Sequence, residues 1–145
     1  MTALTVLFAP DSFKGSLTSV AVASALASGW VRERADDTIE HAPLGDGGEG
    51  TIDAIAFAGG WEWMSAPATD PLGRPVPARW LRSRDGDRGY VELAEASGLS
   101  RVDVADRDPI AATTRGTGDV LCAALNSGIR RLIVGIGGSA TTDGG

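Results

Sequence analysis

The chain has one lysine, one histidine and one cysteine in 145 residues. A lone Cys122 cannot close an internal disulfide, which excludes a disulfide-stapled secreted scaffold and fits a reducing, cytoplasmic compartment. His41 has no second histidine to join and no cysteine nearby, so a metal centre of those ligands is not expected; it reads as a packing residue or a substrate contact. No apolar run approaches a membrane span, and Met1-Thr2-Ala3 leads straight into a predicted strand without a charged leader. Excess positive charge is missing too. The net charge of −6 argues against a nucleic-acid partner, because phosphate-backbone binders carry basic patches. Small anionic ligands stay open, since a few cations and backbone N–H groups suffice for a local site.

The single lysine is informative because of its setting. Arginine occurs twelve times, whereas Lys14 sits alone in Ala9-Pro10-Asp11-Ser12-Phe13-Lys14-Gly15-Ser16-Leu17, after a hydrophobic segment. Arginine offers a wide planar fork; lysine is a compact point charge with three donors that can reach a phosphoryl oxygen. Hydrophobic content of 43% and charged content of 22% are those of an ordinary globular domain, and the length allows a sizeable core. The 20 glycines depart from the average, clustering at 45–50, 116–118 and 135–145.

Periodicity and punctuation predict an α/β chain with a parallel sheet. Leu4–Ala9 reads as a buried strand, and Thr18 as the N-cap of a helix from Ser19 to Ser28 with Gly29 as its C-terminal stop. Thr38–Leu44 reads as a second strand, and Thr51 opens a short helix to about Ala58. Ligands of parallel sheets bind at the carboxyl ends of strands, where both Pro10–Ser16 and Gly45–Thr51 lie. The character changes after Trp61. Segments at Val76–Ser83 and Gly89–Leu93 flank a turn at Arg84–Arg88, then a helix at Gly118–Asn126 leads to a strand at Arg131–Gly135. This divides the chain into 1–64, the first part of one domain, and 65–145, the start of a second. Trp61, Trp63, Trp80 and Cys122 are expected to pack inside.

Three loops could carry chemistry. Gly45–Thr51 places Asp46 and Glu49 among four glycines, whose freedom would let backbone N–H groups turn toward an anion; the competing reading is a helix-capping turn. The dinucleotide pattern is met literally at 45–50 and 135–140, but not in the first strand–helix turn, so a nicotinamide enzyme is not expected, and no P-loop pattern occurs. Thr113–Asp119 precedes a helix and resembles the signature of ribokinase-type sugar kinases.

Four segments taken in order resemble the type I bacterial glycerate kinase family: Ala9–Leu17, Pro43–Thr51, Ala96–Leu99 and Ile136–Gly145, with Gly116-Thr117-Gly118 as a further match. The resemblance implies an ATP- and Mg²⁺-dependent enzyme that phosphorylates D-glycerate, most often to 2-phosphoglycerate, with no membrane partner and with self-association left open. It also implies a flavodoxin-like domain with a second α/β domain inserted into it, the active site lying between them. On that basis Lys14, Asp11 and Asp46 are the catalytic candidates. Lys14 would stabilise the transferring phosphoryl group, and Asp11 or Asp46 would accept the substrate proton. Ser12, Gly47, Gly48, Thr51, Ser139 and Thr141 would bind substrate or phosphate, and Glu49 and Asp143 would face magnesium, through water. Gly45 stands where the family usually has Ala, Thr142 where it has Asn, and Arg115 where it has an aromatic residue. Family members are much longer, so the chain is expected to be an N-terminal portion, incomplete at its C-terminus. Two other readings compete: a non-catalytic α/β module that binds a small phosphorylated or carboxylated ligand, and a ribokinase-like kinase resting on Gly116–Asp119.

Overall fold

The computed structural model describes residues 2–144. Its elements are β1 (Thr5–Phe8), α1 (Ser19–Glu33), β2 (Thr38–His41), α2 (Thr51–Phe57), β3 (Trp61–Thr69), β4 (Pro75–Ser83), β5 (Arg88–Glu92), α3 (Ala94–Ser97), α4 (Arg115–Asn126) and β6 (Arg131–Gly135). Single 3₁₀ turns at Leu99–Arg101 and Val104–Asp106 lie between α3 and α4. The chain is α/β, with a parallel pair β1–β2 and a mixed sheet ordered β3-β4-β5-β6.

Thr18 caps α1 as expected, its hydroxyl accepting the Ala21 N–H at 3.2 Å. The helix does not stop at Gly29, however, and continues to Glu33. Buried Asp37 explains the extension. One of its oxygens accepts the Leu4 N–H at 3.0 Å, the other accepts the indole N–H of Trp30 at 2.9 Å, and Arg34 pairs with the same carboxylate. These bonds tie the last turn of α1 to the entry of β1, so a glycine that costs roughly 1 kcal/mol against alanine is carried inside the helix.

In the mixed sheet β3 pairs antiparallel with β4 along nine residues, Trp61↔Ser83 to Thr69↔Pro75. Pro75 and Pro77 are tolerated because β5 joins β4 only at Leu81 and Arg82, leaving the proline-bearing half of β4 without a ladder on that side. β3 runs unbroken through residues 64 and 65. Strand β6 returns parallel to β5 after α4, Arg88↔Arg131 to Glu92↔Gly135.

The main core lies between the mixed sheet and α4, around Ala66, Ala78, Trp80, Val91, Val120, Ala124 and Ile129. A second cluster packs Ile52 of α2 against Leu81 and Tyr90, so the helix that follows the parallel pair rests on the mixed sheet. Three burial expectations are corrected. Leu4–Ala9 is not a buried strand: Val6 and Phe8 are half-buried toward α1, but Leu7 on the other face is 57% exposed. Cys122 is exposed, because α4 turns Val120 and Ala124 inward instead. Trp80 is buried as expected, but Trp63 is 46% exposed and carries the Arg79 guanidinium over its ring at 4.7 Å.

Two outcomes follow. A Cβ at Gly116 would lie 1.8 Å from the Thr69 carbonyl oxygen, whereas one at Gly118 would meet nothing within 4 Å. Gly116→Ala should therefore destabilise by roughly 1–3 kcal/mol, and Gly118→Ala should be neutral or stabilising by up to about 1 kcal/mol, both read from urea unfolding. The bond from Arg34, with the Leu4 and Trp30 N–H groups, holds the Asp37 carboxyl well below the usual carboxylate range against the opposing effect of desolvation. Its stabilisation is thus present above about pH 4 and lost as the pH falls further. Asp37→Asn should flatten the acid limb of the melting-temperature profile.

Candidate functional site

The loop after β1 is a tight turn. Phe13 accepts the N–H groups of Ser16 and Leu17 at 2.8 and 3.0 Å and donates its own to the Leu17 carbonyl at 2.9 Å. This presents Lys14 at an exposed tip beside Gly15, whose φ is +74°. Among the described residues Lys14 forms no ion pair, so its ammonium is uncommitted. Asp11 accepts the Ser12 N–H at 2.6 Å. The Leu44 N–H donates to the Pro10 carbonyl at 2.9 Å, joining this loop to the segment that enters Gly45.

The second loop commits its donors internally. Gly47 donates to the Thr51 hydroxyl at 3.0 Å, Gly48 to Asp46 at 2.8 Å, and Thr51 to the Gly48 carbonyl at 3.1 Å. Gly50 and Ile52 donate to the two carboxylate oxygens of Glu92, at 3.0 and 2.7 Å. The loop is therefore a self-satisfied capping turn with exposed acidic side chains at Asp46 and Glu49, rather than an open cradle of N–H groups. Gly47 takes a φ of +88° and Gly48 packs against Gly137, their N–H groups going to Thr51 and Asp46 within the turn. Thr51, 8% exposed, acts as an internal acceptor.

The last loop is laid against this turn. Gly137 donates to the Gly47 carbonyl at 2.9 Å, and a Cβ on Gly137 would come within 2.7 Å of the Gly48 backbone. Its other edge is tied to Ser97–Leu99: Leu99 donates to the Gly138 carbonyl at 2.9 Å and Ala140 to that of Ser97 at 3.0 Å. The Ser97 and Thr117 hydroxyls meet at 2.8 Å in the interior, fixing this motif to α4. Ser139 and Thr141 bond to each other at 2.8 Å on the surface. Asp143 accepts the N–H of Thr114 at 2.7 Å and its hydroxyl at 3.0 Å, so it closes the start of α4. Gly116 in that first turn is buried against Thr69, so it serves close packing of α4 on β3.

The structure thus brings Asp46, Gly47, Gly48, Glu49 and Thr51 together with Ser139 and Thr141. The Lys14 loop is joined to them by the Pro10–Leu44 bond; no side-chain hydrogen bond or ion pair from Asp11, Ser12 or Lys14 to the later loops is present among the described residues. Asp143 is bonded to Thr114, and Glu49 is exposed on the acidic turn. Among the described residues no group of three or more His, Cys, Asp or Glu is placed to hold an ion.

Two residues beneath the loops have no counterpart in the motifs. Glu92 is 2% exposed, and burial pushes its carboxyl up to about 7, with the Ile52 and Gly50 N–H bonds opposing and the charges of Glu95 and Asp53 adding. Tyr90 is 3% exposed, and burial, reinforced by Glu92, raises its phenol to about 12. Its hydroxyl lies beside Thr51 without a well-formed hydrogen bond, and it would sit 2.3 Å from a Cβ at Gly135. Both residues lie in a five-residue segment that reads as plain strand, so only their alternation on one face could have marked them. His41 ends β2 with its ring against Phe57 and its Nδ1 buried without a partner, in keeping with packing.

Comparison with known proteins gives this arrangement a family. The sequence pattern of the glycerate kinase family matches residues 6–145. The chain is 44% identical over 140 residues to glycerate 2-kinase of Escherichia coli (strain K12), and equally to glycerate kinase of Bacillus subtilis (strain 168); each alignment covers 97% of this chain and 37% of the relative. A crystal structure of a protein assigned as glycerate kinase 2 from Salmonella typhimurium LT2 superposes with a TM-score of 0.79 at 42% identity, covering 99% of this chain and 38% of that one. The chain accordingly spans little more than a third of the length of the relatives it matches. With its sequence pattern, its relatives and its fold in agreement, the chain belongs to the glycerate kinase family.

Proposed function

We propose that this chain supplies part of the active site of a kinase that transfers the γ-phosphoryl group of ATP to a hydroxyl of D-glycerate, giving 2-phosphoglycerate, in the cytoplasm. The observation that carries the reading is the Gly137 N–H to Gly47 carbonyl bond. It holds the acidic turn and the hydroxyl-bearing loop edge to edge, in a family named for glycerate phosphorylation. Phosphoryl transfer asks a protein for positioning and charge neutralisation more than for covalent chemistry.

The roles follow from what each group has left to give. The Lys14 ammonium, exposed and unpaired, neutralises charge on the transferring phosphoryl oxygens. Asp46 is held by the Gly48 N–H on one oxygen, which leaves the other to take the substrate hydroxyl proton; Asp11, held in the same manner by Ser12, is the second candidate for that step. Since the N–H groups of Gly47, Gly48, Gly50 and Thr51 are engaged within the chain, the carboxylate and phosphates of the substrates are met from the other side. The N–H groups of Glu49, Gly138 and Ser139 and the Ser139–Thr141 hydroxyl pair serve there. Magnesium, where it accompanies the nucleotide, would supply further charge neutralisation on the phosphates, with Glu49 as the exposed carboxylate available to it in the acidic turn.

The test is ADP release from Mg-ATP with D-glycerate against ribose, alongside amide NMR of the same sample. Glycerate should drive turnover and shift the amides of Asp11–Gly15 and Gly138–Thr141, while ribose does neither. Lys14→Ala should lower kcat by about 10²–10³-fold, the cost of one charge-stabilising donor. Turnover with ribose alone, or a Lys14→Ala chain as active as the parent, would defeat the reading.

A further inference from the structure

The first turn of α2 lacks a side-chain cap of its own. Its N-cap is Gly50, at φ +89°, which has no oxygen to offer the N–H groups that begin every helix without a partner. The missing acceptor comes from Glu92, whose oxygens take the Gly50 and Ile52 N–H groups from 42 and 40 residues away. Glu92 ends β5, which pairs with β4 at Gly89 and Tyr90 and with β6 along its whole length, Glu92 itself lying opposite Gly135. The next residue, Leu93, donates to the Gly135 carbonyl at 2.8 Å, at the mouth of the last loop. One strand end therefore anchors both loops. Charge-assisted bonds of this kind are shorter and stronger than neutral ones, and a fully buried carboxylate holds its partners in one geometry.

We propose that Glu92 is a positioning residue of the phosphotransfer site: its carboxylate fixes the first turn of α2 and thereby sets Asp46 and Glu49 against Gly137–Thr141. The inference rests on the reading of those loops as the site of transfer. Around Glu92 stand Tyr90 on its own strand, Asp53 from α2 and Glu95 from α3, while Arg79 of β4 commits its guanidinium to Glu95 and Asp53. No cation is bonded to Glu92 among the described residues, so desolvation dominates and its titration falls near neutral pH. The sign is that of a raised carboxyl. Burial of the carboxyl favours the fold below the unfolded value of about 4.3, and that support is lost as the pH rises through the folded value, whereas the Gly50 and Ile52 N–H bonds themselves strengthen when the carboxyl ionises.

The experiment joins a spectroscopic arm to a kinetic one. In the parent chain the Glu92 carboxyl carbon and the Gly50 and Ile52 amides should titrate with one shared midpoint near neutral pH, and the step should vanish in Glu92→Gln. That variant keeps the volume and one acceptor but cannot satisfy both N–H groups. It should lower kcat with D-glycerate by up to about 10²-fold while leaving KM for ATP within about twofold, the signature of misplacement rather than lost binding. Glu92→Asp, which keeps the charge on a shorter arm, should recover part of kcat and restore a titration step. Amides at 50 and 52 that ignore the Glu92 titration, or a Glu92→Gln protein with parental kcat and pH profile, overturn the proposal. A parent chain without glycerate-dependent turnover counts against the kinase reading alone, because the spectroscopic arm decides by itself whether Glu92 holds the loop.

Discussion

Two glycine-rich backbones meeting without side chains between them hold the functional end of this molecule together. The Gly137 N–H reaches the Gly47 carbonyl at 2.9 Å because Gly137 carries no Cβ to keep the chains apart, one there falling 2.7 Å from Gly48, and because Gly47 can adopt a φ of +88°. The same constraint acts one step earlier, where a Cβ on Gly135 would strike both the Tyr90 hydroxyl and the Gly47 carbonyl. Remove that approach and the acidic turn after β2 separates from the loop after β6, and with it Asp46 from Ser139 and Thr141. The glycines here act by absence of bulk, a different use from the open anion cradle that such loops often form.

Electrostatics gives the arrangement its direction. The N-terminus of α2 would ordinarily attract a phosphate, but the buried carboxylate of Glu92 already occupies its donors. Asp46 and Glu49 then project, exposed, from a turn whose Gly47, Gly48, Gly50 and Thr51 N–H groups are bonded within the chain, which makes this surface acidic. Lys14, the single lysine of a chain with net charge −6, is exposed and forms no ion pair among the described residues. In the proposed reading the two problems of phosphoryl transfer, the hydroxyl proton and the phosphoryl charge, can thus be separated between the acidic turn and this loop. The cap also couples the site to the fold: β5 is central, so any motion of the loops must work against the sheet.

The elements themselves were legible from local pattern. The β6 boundaries, the Thr18 cap and the start of α2 at Thr51 all follow from periodicity and capping chemistry. The extension of α1 past Gly29 was not, because its cause is Asp37 reaching Leu4, Trp30 and Arg34, a set visible only after α1 has packed back on β1. Burial of Leu7 and Cys122 was misread for a related reason: an apolar side chain in a strand or helix does not say which of its faces a second layer covers.

The candidate site divides in the same manner. By itself the sequence determined which loops hold the family's motifs, since Lys14, Asp46, Glu49, Ser139 and Thr141 lie in segments whose glycine spacing and family pattern stand out one residue at a time. Only the tertiary structure decided how those loops are held. The donors of Gly47 and Gly48 turned inward, Asp143 closed α4 instead of joining Glu49, and Glu92 capped a helix more than forty residues before it. The physical reason is that a motif records which groups a segment owns, whereas the fate of each donor and acceptor depends on partners that folding brings from far along the chain.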